Sequence, residues 1–283
     1  MRALPLAVLG FAVVAVTAAL NRHGMRRDAA HTAGLRRQLL ARRRPPCTAA
    51  VDFHDIGELP PVVQRYFRKV LREGQPIVNG AHIQHRGSFR MTLESGRWLP
   101  FLSDQVVTTQ PPGFDWHARI SLGPGIELQV HDTYLAGLGI LDAKLFGRFA
   151  LAHQQDSDAL AEGELMRFLA EAVWYPTALL PSQGVQWQAV DADSALAILA
   201  DGHARVALYF TFDDDGLISR VRAQSRGRSV GGRIVPTPWQ GRFHEYRVFN
   251  GVLMPSAGEV AWILDEDEKT YWRGRITSIE HEV

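Results

Sequence analysis

From Ala81 onward, apolar and polar residues alternate in short runs, the period-2 pattern of half-buried strands. His82 to Leu93, Gln105 to Gln110, Phe114 to Leu122 and Ile126 to Tyr134 make a first block, punctuated by Pro111-Pro112-Gly113 and Gly123-Pro124-Gly125. A second block runs through Val185 to Val190, Ala195 to Leu199, Ala204 to Phe212, Leu217 to Gln224, Gly241 to Phe249, Val252 to Leu264 and Thr270 to Glu280. Its turns include Asp201-Gly202, Asp215-Gly216 and Asn250-Gly251, which supply the left-handed backbone that tight hairpins need. Two segments break the alternation. Pro60 and Pro61 suit a first helical turn, and Val62, Val63, Tyr66, Phe67, Val70 and Leu71 recur at helical spacing before Gly74. Between the strand blocks, Gly163 to Pro181 reads as an aromatic-ended helix stopped by Pro176. A long antiparallel sheet must curl to bury one face, and these helices are the candidates to cover it. The expected fold is mainly β with α: a long, curved antiparallel sheet or half-barrel covered by a central helix.

The head of the chain adds a different element. Ala3 to Leu20 holds 18 residues without a charge, and at ~1.5 Å per residue that spans about 27 Å, near the thickness of a bilayer's hydrocarbon layer. One N-terminal transmembrane helix is expected. A cleaved signal peptide is the alternative, since Val16 to Ala18 and Thr17 to Ala19 offer small residues to a peptidase; the length of the run favours the anchor. Arg22, Arg26 and Arg27 follow closely, and positive flanks stay inside, so the expected location is a single-pass protein of the cell membrane with its body leaning to the cytoplasmic side. Asp28 then opens a stretch in which Leu35 and Leu39 sit one turn apart among arginines. It reads either as a short helix on the membrane surface or as a solvated basic linker ended by Pro45 and Pro46. The expected division is 1–27 anchor and basic flank, 28–58 basic juxtamembrane linker, and 59–283 a single β-rich half-barrel domain.

The net charge of +1 hides an asymmetry, because residues 1–50 carry nine Arg against one acid, Asp28. The remainder is therefore net acidic, which argues against nucleic acid as a partner, while the basic head points to anionic membrane lipid. Cys47 is the single cysteine, so no intrachain disulfide forms.

Several motifs suggest chemistry and lose it in context. Gly227-Arg228-Ser229-Val230-Gly231 matches a nucleophile elbow, but glycines and prolines follow where a helix should begin. Asp213-Asp214-Asp215-Gly216 lacks the acidic residue that closes a calcium loop and reads as a hairpin turn. His82 and His85 point to opposite faces of a strand, and His117, His131, His203 and His244 are scattered, so no metal and no other cofactor is expected. On the central helix Glu164, Arg167, Glu171 and Trp174 share one stripe. On a solvated face this is a pair of weak ion pairs; at a cavity mouth Arg167 would take a carboxylate or phosphate head while Trp174 and Tyr175 flank an apolar tail. With Asp115, Trp116 and Trp239 from the strands, these residues are the candidate ligand-binding set. Asp115, Asp132, His244 and Glu245 are the polar strand residues from which an acid/base pair would have to come.

Leu59-Pro60-Pro61 with Arg65-Tyr66, Trp98-Leu99-Pro100-Phe101, Pro112-Gly113-Phe114-Asp115-Trp116, and above all Gly163-Glu164-Leu165 through Trp174-Tyr175-Pro176-Thr177-Ala178-Leu179-Leu180-Pro181 make the chain resemble a bacterial family of unknown function. Pro238-Trp239 and Tyr271-Trp272-Arg273-Gly274 complete the likeness, which brings no catalytic residues with it. More remotely the helix-covered sheet resembles the periplasmic lipoprotein-carrier half-barrel, a likeness that implies a body outside the cytoplasm, against the charge-based orientation. The expected function is binding of a lipid or other apolar small molecule by a membrane-anchored protein. Because no nucleophile pairs with a base, an enzyme is the alternative, a hydrolase working in a cleft; a membrane scaffold for unknown protein partners is another.

Overall fold

The computed structural model describes residues 24–45, 49–93, 96–155 and 157–283. Among them, thirteen strands form one antiparallel sheet. The first meander is β1 (Gly80–Phe89), β2 (Leu99–Thr108), β3 (Gly113–Gly123), β4 (Ile126–Leu135), β5 (Leu138–Leu145) and β6 (Phe149–Gln155). The second is β7 (Gln186–Ala189), β8 (Ser194–Asp201), β9 (Ala204–Phe212), β10 (Ile218–Val230), β11 (Arg233–Phe249), β12 (Val252–Leu264) and β13 (Asp267–Glu282). They join where β1 pairs with β13, with Gly80 opposite Glu282 and Phe89 opposite Trp272. This order leaves β6 and β7 as the two edges. Because these edges are consecutive in the chain, the segment between them must cross the open side of the curl. Helix α3 (Asp158–Glu171) lies there, against β3, β4 and β5 on one side and β9 and β10 on the other.

Local chemistry explains most of these elements. Primed turns close the hairpins, as at Asn250-Gly251, where both residues have positive φ (49° and 84°). Strand β9 alternates strictly, with Ala204, Val206, Leu208, Phe210 and Phe212 inward. Helix α2 (Pro61–Val70) buries Val62, Val63, Tyr66, Phe67 and Val70, and sets Phe67 edge-on to Trp187. Helix α3 starts earlier than its apolar pattern suggests, because the Ser157 hydroxyl caps it by accepting from the Leu160 amide at 3.2 Å. It also ends earlier, at Glu171. Short 3-10 turns follow at Ala172–Trp174, Pro176–Leu179 and Pro181–Gln183, since each proline removes a donor that a longer helix would use.

A row of glycines crosses the seam of the sheet. Gly87, Gly274 and Gly258 face one another across β1, β13 and β12. The Trp272 ring folds back over Gly274, where an added Cβ would lie 2.1 Å from a ring carbon. Gly274→Ala is expected to cost about 1–3 kcal/mol, the usual penalty of overpacking. A thermal melt reads this as a drop of several degrees, and an unchanged melting temperature would show that the Trp272 ring yields to the added methyl without cost.

Two expectations about the head are corrected. Residues 24–41 form a helix, α1, packed on the convex face of the sheet, with Leu35 and Leu39 7% and 2% exposed. This part of 28–58 is therefore neither a solvated linker nor a membrane-surface helix, because its apolar stripe is already covered by strands. Single-pass placement in a membrane, and the cytoplasmic side with it, is likewise not supported: among the described residues no helix is long and apolar enough to cross a bilayer. Ala3 to Leu20 lies outside the described residues.

A covered cavity as candidate functional site

Between α3 and the concave face of the sheet lies a cavity of about 100 Å³. Its walls include Trp116, Trp174, Trp239, Tyr271 and Trp272, and two guanidinium groups enter it, those of Arg167 and Arg226. Arg167 projects from α3 toward β4. Its Nη1 donates to Asp132 Oδ2 at 2.5 Å and its Nε to Glu171 Oε1 at 2.7 Å, while its flat group sits 4.9 Å from the centres of both Phe114 and Trp116. Glu171 also accepts from Gln105 Nε2 at 2.7 Å. Every ionic partner of Arg167 is thus supplied by the protein, and its surroundings raise the guanidinium's proton affinity despite burial.

Arg226 is placed differently. It is 9% exposed and stacks 4.9 Å from the Trp239 ring, whose Nε1 donates to the Tyr271 hydroxyl at 3.0 Å. Among the described residues its side chain donates only to Glu164, at 3.3 Å. Burial, reinforced by the neighbouring Asp132 carboxylate, pushes the Glu164 carboxyl well above the usual range against the pull of Arg226 and Arg167. Glu164 Oε2 and Asp132 Oδ1 are buried with no hydrogen-bond partner among the described residues. Arg226 is thus a buried cation with a single ion-pair partner there, a carboxyl that its surroundings drive toward the neutral form.

The candidate ligand-binding residues divide accordingly. Arg167, Glu171, Trp174, Trp116 and Trp239 line the cavity, and Glu164 stands behind it, against Arg226. Tyr175 does not reach it: fully buried, its hydroxyl donates to the Phe168 carbonyl at 3.1 Å. Asp115 is on the opposite face of β3, since it neighbours inward-facing Phe114 and Trp116. There burial favours its neutral form, but hydrogen bonds from His131 and Arg36 hold its carboxyl below the usual range. Asp132, by contrast, faces the cavity, while Glu245 on β11 is exposed and paired with Arg275. The four candidate acid/base residues thus fall in three places: Asp115 on the outer face, Asp132 at the cavity, and the adjacent His244 and Glu245 on β11, of which His244 lines a separate groove.

Arg226 escaped the sequence pattern for a definite reason. Val221 and Ala223 face inward, so strict alternation would put residue 225 inward and residue 226 outward. A bulge between Ala223 and Arg226 shifts the register against β11 and turns Arg226 to the inside.

The family of unknown function DUF6920 matches residues 57–281, which include the whole sheet, α2 and α3. The chain belongs to that family. No functionally curated protein matches the DUF6920 chain. Among solved structures it is similar to a LolA superfamily protein from Nitrosomonas europaea, with 8% identity and a TM-score of 0.40 over 78% of this chain and 92% of that one. It is also similar to a beta-barrel-like protein of the domain of unknown function DUF1849 from Brucella abortus, with 10% identity and a TM-score of 0.21 over 73% and 99%. At these scores neither likeness bears on ligand or activity.

Proposed function

We propose that the protein binds a lipid or similar apolar molecule carrying one anionic group, with the anion at Arg226 and the apolar part among Trp116, Trp174, Trp239 and Trp272. The observation that carries this reading is the buried Arg226 guanidinium, with unused donors and a single ion-pair partner among the described residues, at an aromatic-walled cavity. A buried charge is costly unless paired, and a ligand carboxylate or phosphate would complete the pairing with two parallel hydrogen bonds. Arg167, which the helix stripe suggested for that role, is already saturated by Asp132 and Glu171.

Size limits what enters. About 100 Å³ is the volume of roughly three liquid waters, far below the ~300 Å³ at which pockets for drug-sized ligands begin. The cavity accepts the head and first carbons of a chain as it stands; a longer tail requires α3 to move off the sheet. Decanoate and decanol, which share a tail and differ in charge, test the reading through quenching of tryptophan fluorescence. Arg226→Met is expected to weaken decanoate by roughly 10–100-fold, the worth of hydrogen bonds to a charged group, and to leave decanol unchanged. Equal weakening of both, or no binding of either to the wild type, would end the proposal.

A further inference from the structure

On the other face of the sheet, three chemically matched side chains converge. His117 on β3 and His131 on β4 are direct cross-strand partners whose rings stack 4.4 Å apart and 9° from parallel. Asp28 of α1 lies against both: its Oδ2 is 2.8 Å from His117 Nε2 and its Oδ1 is 3.5 Å from His131 Nε2. The closer contact is off the line of any ring N–H. Asp28 Oδ1 and His117 Nε2 are accordingly buried without a hydrogen-bond partner among the described residues. The side chains of Asp28 and His117 are 6% and 17% exposed, so these two unpartnered atoms sit in a place where such atoms are expensive.

We infer that Asp28, His117 and His131 form a binding site for a divalent first-row metal ion of the zinc class. One donor atom from each side chain lies within 4.8 Å of the others. Bonds of about 2.0–2.2 Å to a tetrahedral ion place donors roughly 3.3–3.6 Å apart, so binding draws the donors together and turns the two stacked rings toward a common point. The surroundings fit the same assignment. The Asp115 carboxylate lies 2.9 Å from His131 Nδ1 through Oδ1 and is itself fixed by Thr133 and Arg36, each at 2.9 Å. That bond keeps a proton on Nδ1, the outer-shell carboxylate arrangement that orients metal-bound histidines; without an ion Nε2 donates to the Thr32 hydroxyl, whose own proton goes to the Asp28 carbonyl, so a metal must displace the Nε2 proton. Asp28 can approach because α1 lies close against the sheet at Gly24, where a Cβ would lie 1.6 Å from the Phe146 carbonyl oxygen.

Three protein ligands leave a coordination position open, and there is space for what fills it. A groove of about 650 Å³ runs beside α1, with Asp28, Thr32, Arg36, Asp104, His117 and Arg119 among its walls. A water or an anionic group reaching the ion from this groove would meet the guanidinium of Arg119. Two histidines and a carboxylate with an open position are the donor set of catalytic rather than closed structural zinc sites. Two of the ligands lie within the DUF6920 match and the third, Asp28, lies ahead of it.

The test is calorimetric titration of the chelator-treated protein with zinc, paired with cobalt(II) absorption in the visible range, which reports a low-coordinate site directly. The wild type is expected to bind one equivalent with a rise in melting temperature. His117→Ala, at a partly exposed position, is expected to weaken zinc at least 100-fold, and Asp115→Asn by about 10–100-fold through the orientation of His131. His153→Ala, at an exposed histidine outside the trio, should bind as the wild type does. Zinc bound equally by His117→Ala and the wild type, or no wild-type binding at all, would instead make His131 an imidazolium shared between Asp28, Asp115 and the Thr32 hydroxyl 3.2 Å away, and the metal assignment would fall.

Discussion

Arg167→Met is expected to destabilise the protein by about 3–5 kcal/mol, the cost of leaving buried charges without their counter-ion. Asp132 and Glu171 both bond to this one guanidinium. Methionine fills similar space but compensates neither. The loss should not equal the worth of the network, because removing all the charges together is a milder change than removing one. Arg167→Met combined with Asp132→Asn and Glu171→Gln is therefore expected to regain most of the stability. Urea unfolding of the two variants decides the matter: a single variant within 1 kcal/mol of the wild type would mean that Arg167 is not the counter-ion that holds α3 to β4.

Acid should weaken the protein well before its carboxylates are protonated, and His85 is the reason. Burial, with Arg167 adding repulsion, lowers its pKa from 6.5 to about 3. The ring is 2% exposed, its centre is 5.0 Å from that of Trp174, and among the described residues its one side-chain hydrogen-bond contact is Ser103 at 3.4 Å. Unfolded His85 takes up a proton below about pH 6.5, whereas folded His85 stays neutral until about pH 3. The stability it contributes is thus complete above pH 6.5 and drains away as pH falls toward 3. At ~1.4 kcal/mol per unit, the loss reaches about 3 kcal/mol by pH 4. His85→Leu removes this titration, so the gap between wild type and variant should narrow in the variant's favour by that amount between pH 7 and pH 4. Asp104 and Asp115, whose lowered values make them titrate below 3.8, remain in both proteins and cancel. Parallel stability curves over that range would show that His85 charges without resistance in the fold.

The hairpins, α2 and the covering helix were legible because each depends on neighbours in sequence. Asn250-Gly251 specifies a turn whatever surrounds it, and the apolar stripe from Val62 to Val70 needs only something to face. What escaped depends on distant partners. β6 has Phe149 and Leu151 half exposed at the sheet edge, so burial imposed no alternation on it. The stripe of α1 is interrupted by Asp28 and Arg36, which read as surface charges until His117, His131, Asp104 and Asp115 come round from strands roughly 70 to 100 residues away. Histidines that look scattered along the chain become one cluster because β3 and β4 pair in a register that sets His117 beside His131. Of the cavity, the aromatic walls and Arg167 could be read from pattern alone; Arg226 depends on a bulge that no local pattern announces.

The seam between β1 and β13 also sets an order of events. Thr277 on β13 hydrogen-bonds the carbonyl of Gln84 on β1 across 193 residues of chain. During synthesis β1 can pair with β2 at once, but its other edge stays open until nearly all the second meander has emerged. Closing so long a loop is slow, and an open strand edge in the meantime is a template for neighbouring chains. A nascent chain stopped short of β13 would carry that unfinished edge indefinitely, so aggregation during synthesis, more than instability of the finished fold, is the hazard this topology brings with it.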